Sequence, residues 1–134
     1  MEINEILKRV DHTLLDVGCT ENDIKSVIDD AVTYGCASAC IPPSYVKIAS
    51  EYSAGRVPIC TVIGFPNGYN TASVKAYEAE NAATNGADEI DMVINICLLK
   101  DRKYDDVLNE IKAVRAACEG KVLKVIIETC LLDR

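Results

Sequence analysis

One histidine and no Cys-x-x-Cys pair leave this chain without the ligand spacings of a zinc module. Its seven cysteines, at 19, 36, 40, 60, 97, 118 and 130, are an odd number, and Cys36 and Cys40 stand four apart with too few partners nearby. They read as reduced, small apolar fillers, and no metal is expected. Basic residues are also scarce. The formal charge of −7 argues against a nucleic-acid surface, which needs clustered Lys and Arg, although a compact basic pocket for one small phosphate remains compatible. Apolar runs such as Val125-Ile126-Ile127 are far too short to cross a bilayer. The N-terminus Met1-Glu2-Ile3-Asn4-Glu5 lacks a basic region followed by a hydrophobic stretch, so a cytoplasmic protein without a membrane partner is expected. Neither a GxGxxG nor a GxxxxGK spacing follows any strand-like segment, which lowers nucleotide binding.

What is present is a repeated strand–helix pattern in one domain, residues 1–134. Thr20-Glu21-Asn22-Asp23 resembles a capping box, and Ile24, Val27, Ile28, Ala31 and Val32 make one apolar stripe that Gly35 stops. Cys36 to Ile41 reads as a strand, and a brief helix with Tyr45, Ile48, Ala49 and Tyr52 follows. Ile59 to Phe65 is rich in β-branched residues and reads as the clearest strand. The next helix spans about Thr71 to Asn85, with Ala72, Ala76, Ala79, Ala82 and Ala83 as its packing face. A helix from about Lys103 to Cys118, striped by Val107, Leu108, Ile111 and Val114, precedes a fifth strand from Val122 to Thr129. The junctions Tyr34-Gly35-Cys36-Ala37 and Asn85-Gly86-Ala87-Asp88 echo each other, as expected of a repeated β/α unit. Such units make a parallel sheet with right-handed crossovers, either doubly wound or part of a β/α barrel.

The segment Asp88-Glu89-Ile90-Asp91-Met92-Val93-Ile94-Asn95 puts acids where a buried parallel strand should be apolar. Side chains alternate along a strand, so Ile90, Met92 and Ile94 share one face while Glu89, Asp91, Val93 and Asn95 share the other. An ionised carboxylate is too costly to bury unpaired, and Asp91 must therefore meet a cation or a solvated cavity. The same parity places Asp11 and Thr13 together near the N-terminus, Ser38 with Cys40, and Lys124 with Ile126 and Glu128. Lys124 is the only base among these inward residues. On neighbouring strands, Asp91 and Lys124 are either a catalytic pair or a buried ion pair with no chemistry. Cys40 fits a small core thiol, and His12 a local hydrogen-bonding residue rather than a catalytic base.

Five motifs together resemble the deoxyribose-phosphate aldolase family. They are Asp11-His12-Thr13-Leu14-Leu15, the Cys40-to-Val46 run Cys-Ile-Pro-Pro-Ser-Tyr-Val, the Cys60-to-Pro66 run Cys-Thr-Val-Ile-Gly-Phe-Pro, Gly86 through Asn95, and Leu123 through Leu132. The resemblance implies a (β/α)8 barrel of the TIM type and an aldehyde-lyase that cleaves 2-deoxy-D-ribose 5-phosphate to D-glyceraldehyde 3-phosphate and acetaldehyde. It implies a lysine Schiff base as the electron sink and no metal or cofactor. By the same matching, Asp91 relays protons, Lys124 supports the Schiff base, and Asp11, Thr13 and Cys40 line the substrate cavity.

The family's Schiff-base lysine on the sixth strand, its second lysine on the seventh and its phosphate loops have no counterpart before Arg134. Cys97-Leu98 also stands where the family usually has Gly-Ala. The expectation is a partial barrel of about four β/α units plus a fifth strand, truncated before the Schiff-base lysine and inactive alone. Its free edges, and a concave face lined by Val62, Val93 and Ile126, predict a homo-oligomer or a complementary half-barrel as partner. Two alternatives remain: a non-catalytic half-barrel that binds a small metabolite or a protein, and an enzyme using Lys124 as its amine.

Overall fold

The computed structural model of the chain describes residues 2–132; Met1 and Arg134, named above, lie outside them. In order the elements are α1 (Ile3–Leu7), β1 (Asp11–Thr13), α2 (Glu21–Tyr34), β2 (Ser38–Ile41), α3 (Val46–Ser53) and β3 (Ile59–Ile63). They continue with α4 (Ala72–Thr84), β4 (Glu89–Val93), α5 (Ile96–Lys100), α6 (Tyr104–Ala117) and β5 (Val122–Ile126). The capping box at α2 forms as its residues predict: Thr20 Oγ1 accepts from the Asp23 amide, and Asp23 Oδ2 accepts from the Thr20 amide at 2.8 Å. Gly35 ends the helix at φ +64°, a left-handed conformation that costs a residue without Cβ nothing.

All five strands are parallel and lie in the order β1-β2-β3-β4-β5. That order decides between the two architectures left open by the sequence. A doubly wound sheet reverses its strand order at a switch point, whereas a β/α barrel adds each strand beside the last. The sheet is an arc of a barrel. Its outer face carries Ala39, Ile41, Ile59, Ile63, Ile90 and Met92, all buried against the helices, with Ile24 and Ile28 of α2 and Val114 of α6 in the same core. The inner face of β2 and β3 forms a smaller cluster of Cys40, Cys60 and Val62, with Leu15 against it.

Several expectations need correction. β5 ends at Ile126 rather than Thr129: Glu128 takes a left-handed φ of +48°, and residues Thr129–Leu131 form a 3-10 turn. Glu128 therefore does not continue the Lys124 face. On α6, Leu108 is 47% exposed, and Glu110, not Leu108, occupies the inner position. The inner face is not an open apolar surface either, because Val62 and Val93 are 5% and 1% exposed. Val93 is covered by the β3–α4 loop, where Gly68 approaches so closely that a Cβ there would lie 2.8 Å from Val93 Cγ1. The short helices α1 and α5 carry too few turns to show a period in the sequence. α5 begins at the Cys97-Leu98 departure, capped by Asn95 Oδ1, which accepts from the Leu98 amide.

The candidate active site

Parallel pairing sets the site. β4 and β5 align Asp91 with Lys124, β3 and β4 align Val62 with Asp91, and β2 and β3 align Cys40 with Cys60. Their inward side chains converge on the concave face. Lys124 Nζ lies 2.6 Å from Asp11 Oδ2, 2.9 Å from Glu89 Oε2, 3.2 Å from Asp91 Oδ1 and 3.6 Å from Cys60 Sγ. Three carboxylates thus surround one ammonium. Asp11 is held from its other side by Ser38, whose Oγ donates to Oδ1 at 2.7 Å.

Three of the four charged groups, Lys124, Asp11 and Asp91, differ in how this environment acts on them. Burial alone would lower Lys124, but hydrogen bonding to Asp11 and Glu89, together with the Asp91 charge, overrides it and holds the ammonium well above its ordinary value. Burial would raise Asp11, yet its bonds to Lys124 and Ser38 outweigh this and hold the carboxyl below the usual aspartate value. Asp91 goes the other way. It is 15% exposed, burial pushes its carboxyl up, and Lys124 offsets only part of that rise. Its Oδ1 is buried without a hydrogen-bond partner, since Lys124 approaches in ion-pair range but off the hydrogen-bonding direction. Burial thus favours the protonated form of Asp91, and the surrounding carboxylates favour the ammonium form of Lys124, which makes Asp91 a candidate proton carrier and Lys124 a candidate fixed charge.

Of the site residues expected from the sequence, Asp91, Lys124 and Asp11 meet directly. Cys40 adjoins them: its Sγ, Cys60 Sγ and an Asp91 carboxylate oxygen all lie within 4.8 Å of one another. The hydrogen bond shared with Cys40, then burial and the Asp91 charge, push the Cys60 thiol up. Thr13 stands in register with Cys40, but its Oγ1 donates to the Asp11 carbonyl at 2.8 Å and makes no hydrogen bond to the cluster among the described residues. His12 faces away, with Nε2 at 3.8 Å from Asp30 of α2. Beside the cluster, at the C-terminal ends of β2 and β3, a cavity of about 140 Å³ is lined by Leu15, Pro42, Pro43, Val62, Gly64, Phe65 and Glu78.

Glu89 and Cys60 were not among the expected site residues, although strand alternation places both on the inward face. A second pair lies behind the site. Lys75 of α4 is fully buried, and its Nζ donates to Gly68 O at 2.6 Å, Val93 O at 2.7 Å and Glu110 Oε1 at 2.9 Å. Every ammonium proton has an acceptor. The other Glu110 oxygen accepts from the Asn95 amide at 3.0 Å. The pair ties the β3–α4 loop to the end of β4, two residues beyond Asp91. Helical spacing was the available signal, because Lys75, Ala79 and Ala82 fall on one face, as do Val107, Glu110 and Val114.

Known proteins resemble this chain in sequence and in fold. A deoxyribose-phosphate aldolase of Streptococcus pyogenes serotype M4 (strain MGAS10750) is 55% identical over 134 residues, all of this chain and 60% of that protein. A crystal structure from Coccidioides immitis, assigned to deoxyribose-phosphate aldolase, superposes with a TM-score of 0.95 at 40% identity, covering 99% of this chain and 53% of the other. The deoxyribose phosphate aldolase of Aeropyrum pernix, described as tetrameric, superposes with a TM-score of 0.83 at 33% identity, covering 97% of this chain and 55% of that one. The chain thus spans about 60% of the length of the curated relatives it matches. The model of the DeoC/LacD family of aldolases matches residues 6–134, and the chain belongs to that family.

Proposed function

We propose that this chain supplies the β1–β5 arc of an enzyme that cleaves 2-deoxy-D-ribose 5-phosphate to D-glyceraldehyde 3-phosphate and acetaldehyde through a lysine Schiff base. The observation that carries this reading is the Lys124 ammonium set among Asp11, Glu89 and Asp91 on the concave face of a barrel arc. Asp91, raised by burial and with an unpartnered oxygen, moves protons to and from the reacting carbons. Lys124 supplies a fixed positive charge beside the Schiff base, favouring the neutral amine there through like-charge repulsion. Asp11 holds Lys124 in place, and Cys40 and Thr13 line the β1–β2 side of the substrate cavity that a completed barrel would enclose. This chemistry requires no cofactor, and a cytoplasmic setting suits it.

The attacking amine is proposed to be a different residue, because the three carboxylates around Lys124 favour its ammonium form, and an ammonium has no lone pair to give. The chain by itself is therefore expected to have negligible cleavage activity. A segment completing the barrel, or a second copy of the chain, is the proposed partner. Borohydride reduction of the chain with acetaldehyde, followed by peptide mass analysis, tests the assignment. No adduct at Lys124 is expected; a stoichiometric reduced adduct there would make Lys124 the nucleophile.

A non-catalytic half-barrel is the second reading, and the exposure of β5 favours it. Residues of β2 and β3 are buried throughout, whereas Val122 is exposed and the rest of β5 only partly covered. An edge of this kind binds another strand readily. Stable, saturable association with a metabolite or protein, with no activity in any barrel-completing assembly, would favour this reading over the first.

A further inference from the structure

Cys40 and Cys60 stand directly opposite each other on adjacent strands, and their sulfurs share a small volume with an Asp91 carboxylate oxygen, all within 4.8 Å. We propose that Cys40, Cys60 and Asp91 form a three-ligand site for a soft divalent cation such as Zn²⁺ or Cd²⁺. Binding needs only the geometry of these three side chains, while its effect on activity rests on the role proposed for Asp91.

Three observations carry it. A tetrahedral ion with metal–sulfur bonds of about 2.3 Å places its donors roughly 3.5–4 Å apart, so these three need only rotamer-scale adjustment to close on one. Asp91 Oδ1 is buried, makes no hydrogen bond and has the Lys124 ammonium at 3.2 Å as its charge partner, so a bound ion would give it a direct bond. The charge also fits, since Asp11, Glu89 and Asp91 outnumber Lys124. Binding releases the two thiol protons to solvent as one divalent ion enters, and the total charge of the cluster is unchanged. Lys124 remains held by Asp11 and Glu89, at 2.6 and 2.9 Å, and yields only its longer contacts to Asp91 and Cys60.

Two thiolates select against Mg²⁺ and Ca²⁺, which prefer oxygen donors. The site is invisible to sequence spacing because its cysteines lie twenty residues apart and meet only through the β2–β3 register. Its consequence is occlusion: an ion bound here takes the carboxylate of Asp91 out of proton transfer.

Cd²⁺ titration of the full chain carrying Cys19→Ser, Cys36→Ser, Cys97→Ser and Cys130→Ser tests the proposal through the ultraviolet thiolate-to-cadmium absorption. Saturation at one ion per chain is expected, with two protons released. Cys60→Ala and Asp91→Asn should each weaken binding by at least about tenfold, the lower end of what loss of even an outer-shell partner does. Alkylation of the unsubstituted chain gives a second readout that needs no folded variant. Buried Cys40 and Cys60 react only on transient opening, so over a long alkylation time course Cd²⁺ should slow both together while exposed Cys97 and Cys130 react at once, as peptide mass mapping would show. No saturable absorption, affinity unchanged in both variants, or no selective protection of Cys40 and Cys60 would overturn the site.

Discussion

Lys124 on β5 and Asp11 on β1 lie 2.6 Å apart, although their strands are the two opposite edges of the sheet. Strands pair at about 4.8 Å, so in a flat sheet these edges would stand roughly 19 Å apart, beyond the combined reach of the two side chains. The contact requires the arc to curl around its inner face. One ion pair, 113 residues apart in sequence, thus reports barrel curvature directly.

Loss of Lys124 should therefore be felt as both charge and shape. Lys124→Met leaves Asp11, Glu89 and Asp91 facing one another across a partly buried cavity. The expected cost is about 1–3 kcal/mol, between the value of a surface pair and that of a fully buried one. Urea unfolding measures it, and Lys124→Arg should recover part of the loss. A Met variant as stable as the parent would show that the cluster contributes no stability.

Asp11 predicts a pH dependence. Its carboxyl is held below the ordinary aspartate value, so the folded state favours the ionised form. The stability this contributes is present above the unfolded value, near about 4, and is lost as pH falls through the lower folded value. Asp11→Asn removes it. The stability gap between parent and variant should be constant near neutral pH and narrow below about pH 4. A gap that widens on acidification would reverse the assignment.

How far the site is legible in the sequence depends on what each residue needs to reach its place. Asp91 is visible because an acid on a buried strand demands a partner, and Lys124 is the only inward base available. Glu89 sits on the same face by alternation, but its approach to Lys124 follows from strand register. Asp11 requires the curvature of the whole arc. Lys75 and Glu110 are hidden for another reason: long charged side chains on helices ordinarily face water, and only close reading of the helical period places them inside. Thr13 shows the limit of parity, which puts it on the inner face while its hydroxyl donates to the Asp11 carbonyl rather than to the cluster.

The Lys75–Glu110 pair should be the most sensitive point of the fold. Lys75→Met strands the buried Glu110 charge and frees the carbonyls of Gly68 and Val93, at an expected cost of about 3–5 kcal/mol. Adding Glu110→Leu should restore a large part, because removing both charges leaves no unpaired ion. Equal destabilisation in single and double variants would place the cost in packing alone.

Gly68 makes a separate backbone prediction. Its φ is +74°, and a Cβ would lie 2.1 Å from the Ile94 carbonyl oxygen. Gly68→Ala should cost at least about 1–3 kcal/mol through backbone strain, with steric displacement of the loop over Val93 in addition. Thermal unfolding of the variant measures this, and an unchanged midpoint would mean that the loop does not pack on β4.

Acetaldehyde release from 2-deoxy-D-ribose 5-phosphate, measured on this chain fused at its C-terminus to the segment of the Streptococcus pyogenes relative that follows its matched 134 residues, tests the central claim most directly. No cleavage is expected from the chain alone, cleavage from the fusion, and loss of nearly all of it in the fusion carrying Asp91→Asn with assembly intact. Turnover by the chain alone, or a fusion whose activity is indifferent to Asp91→Asn, would contradict it.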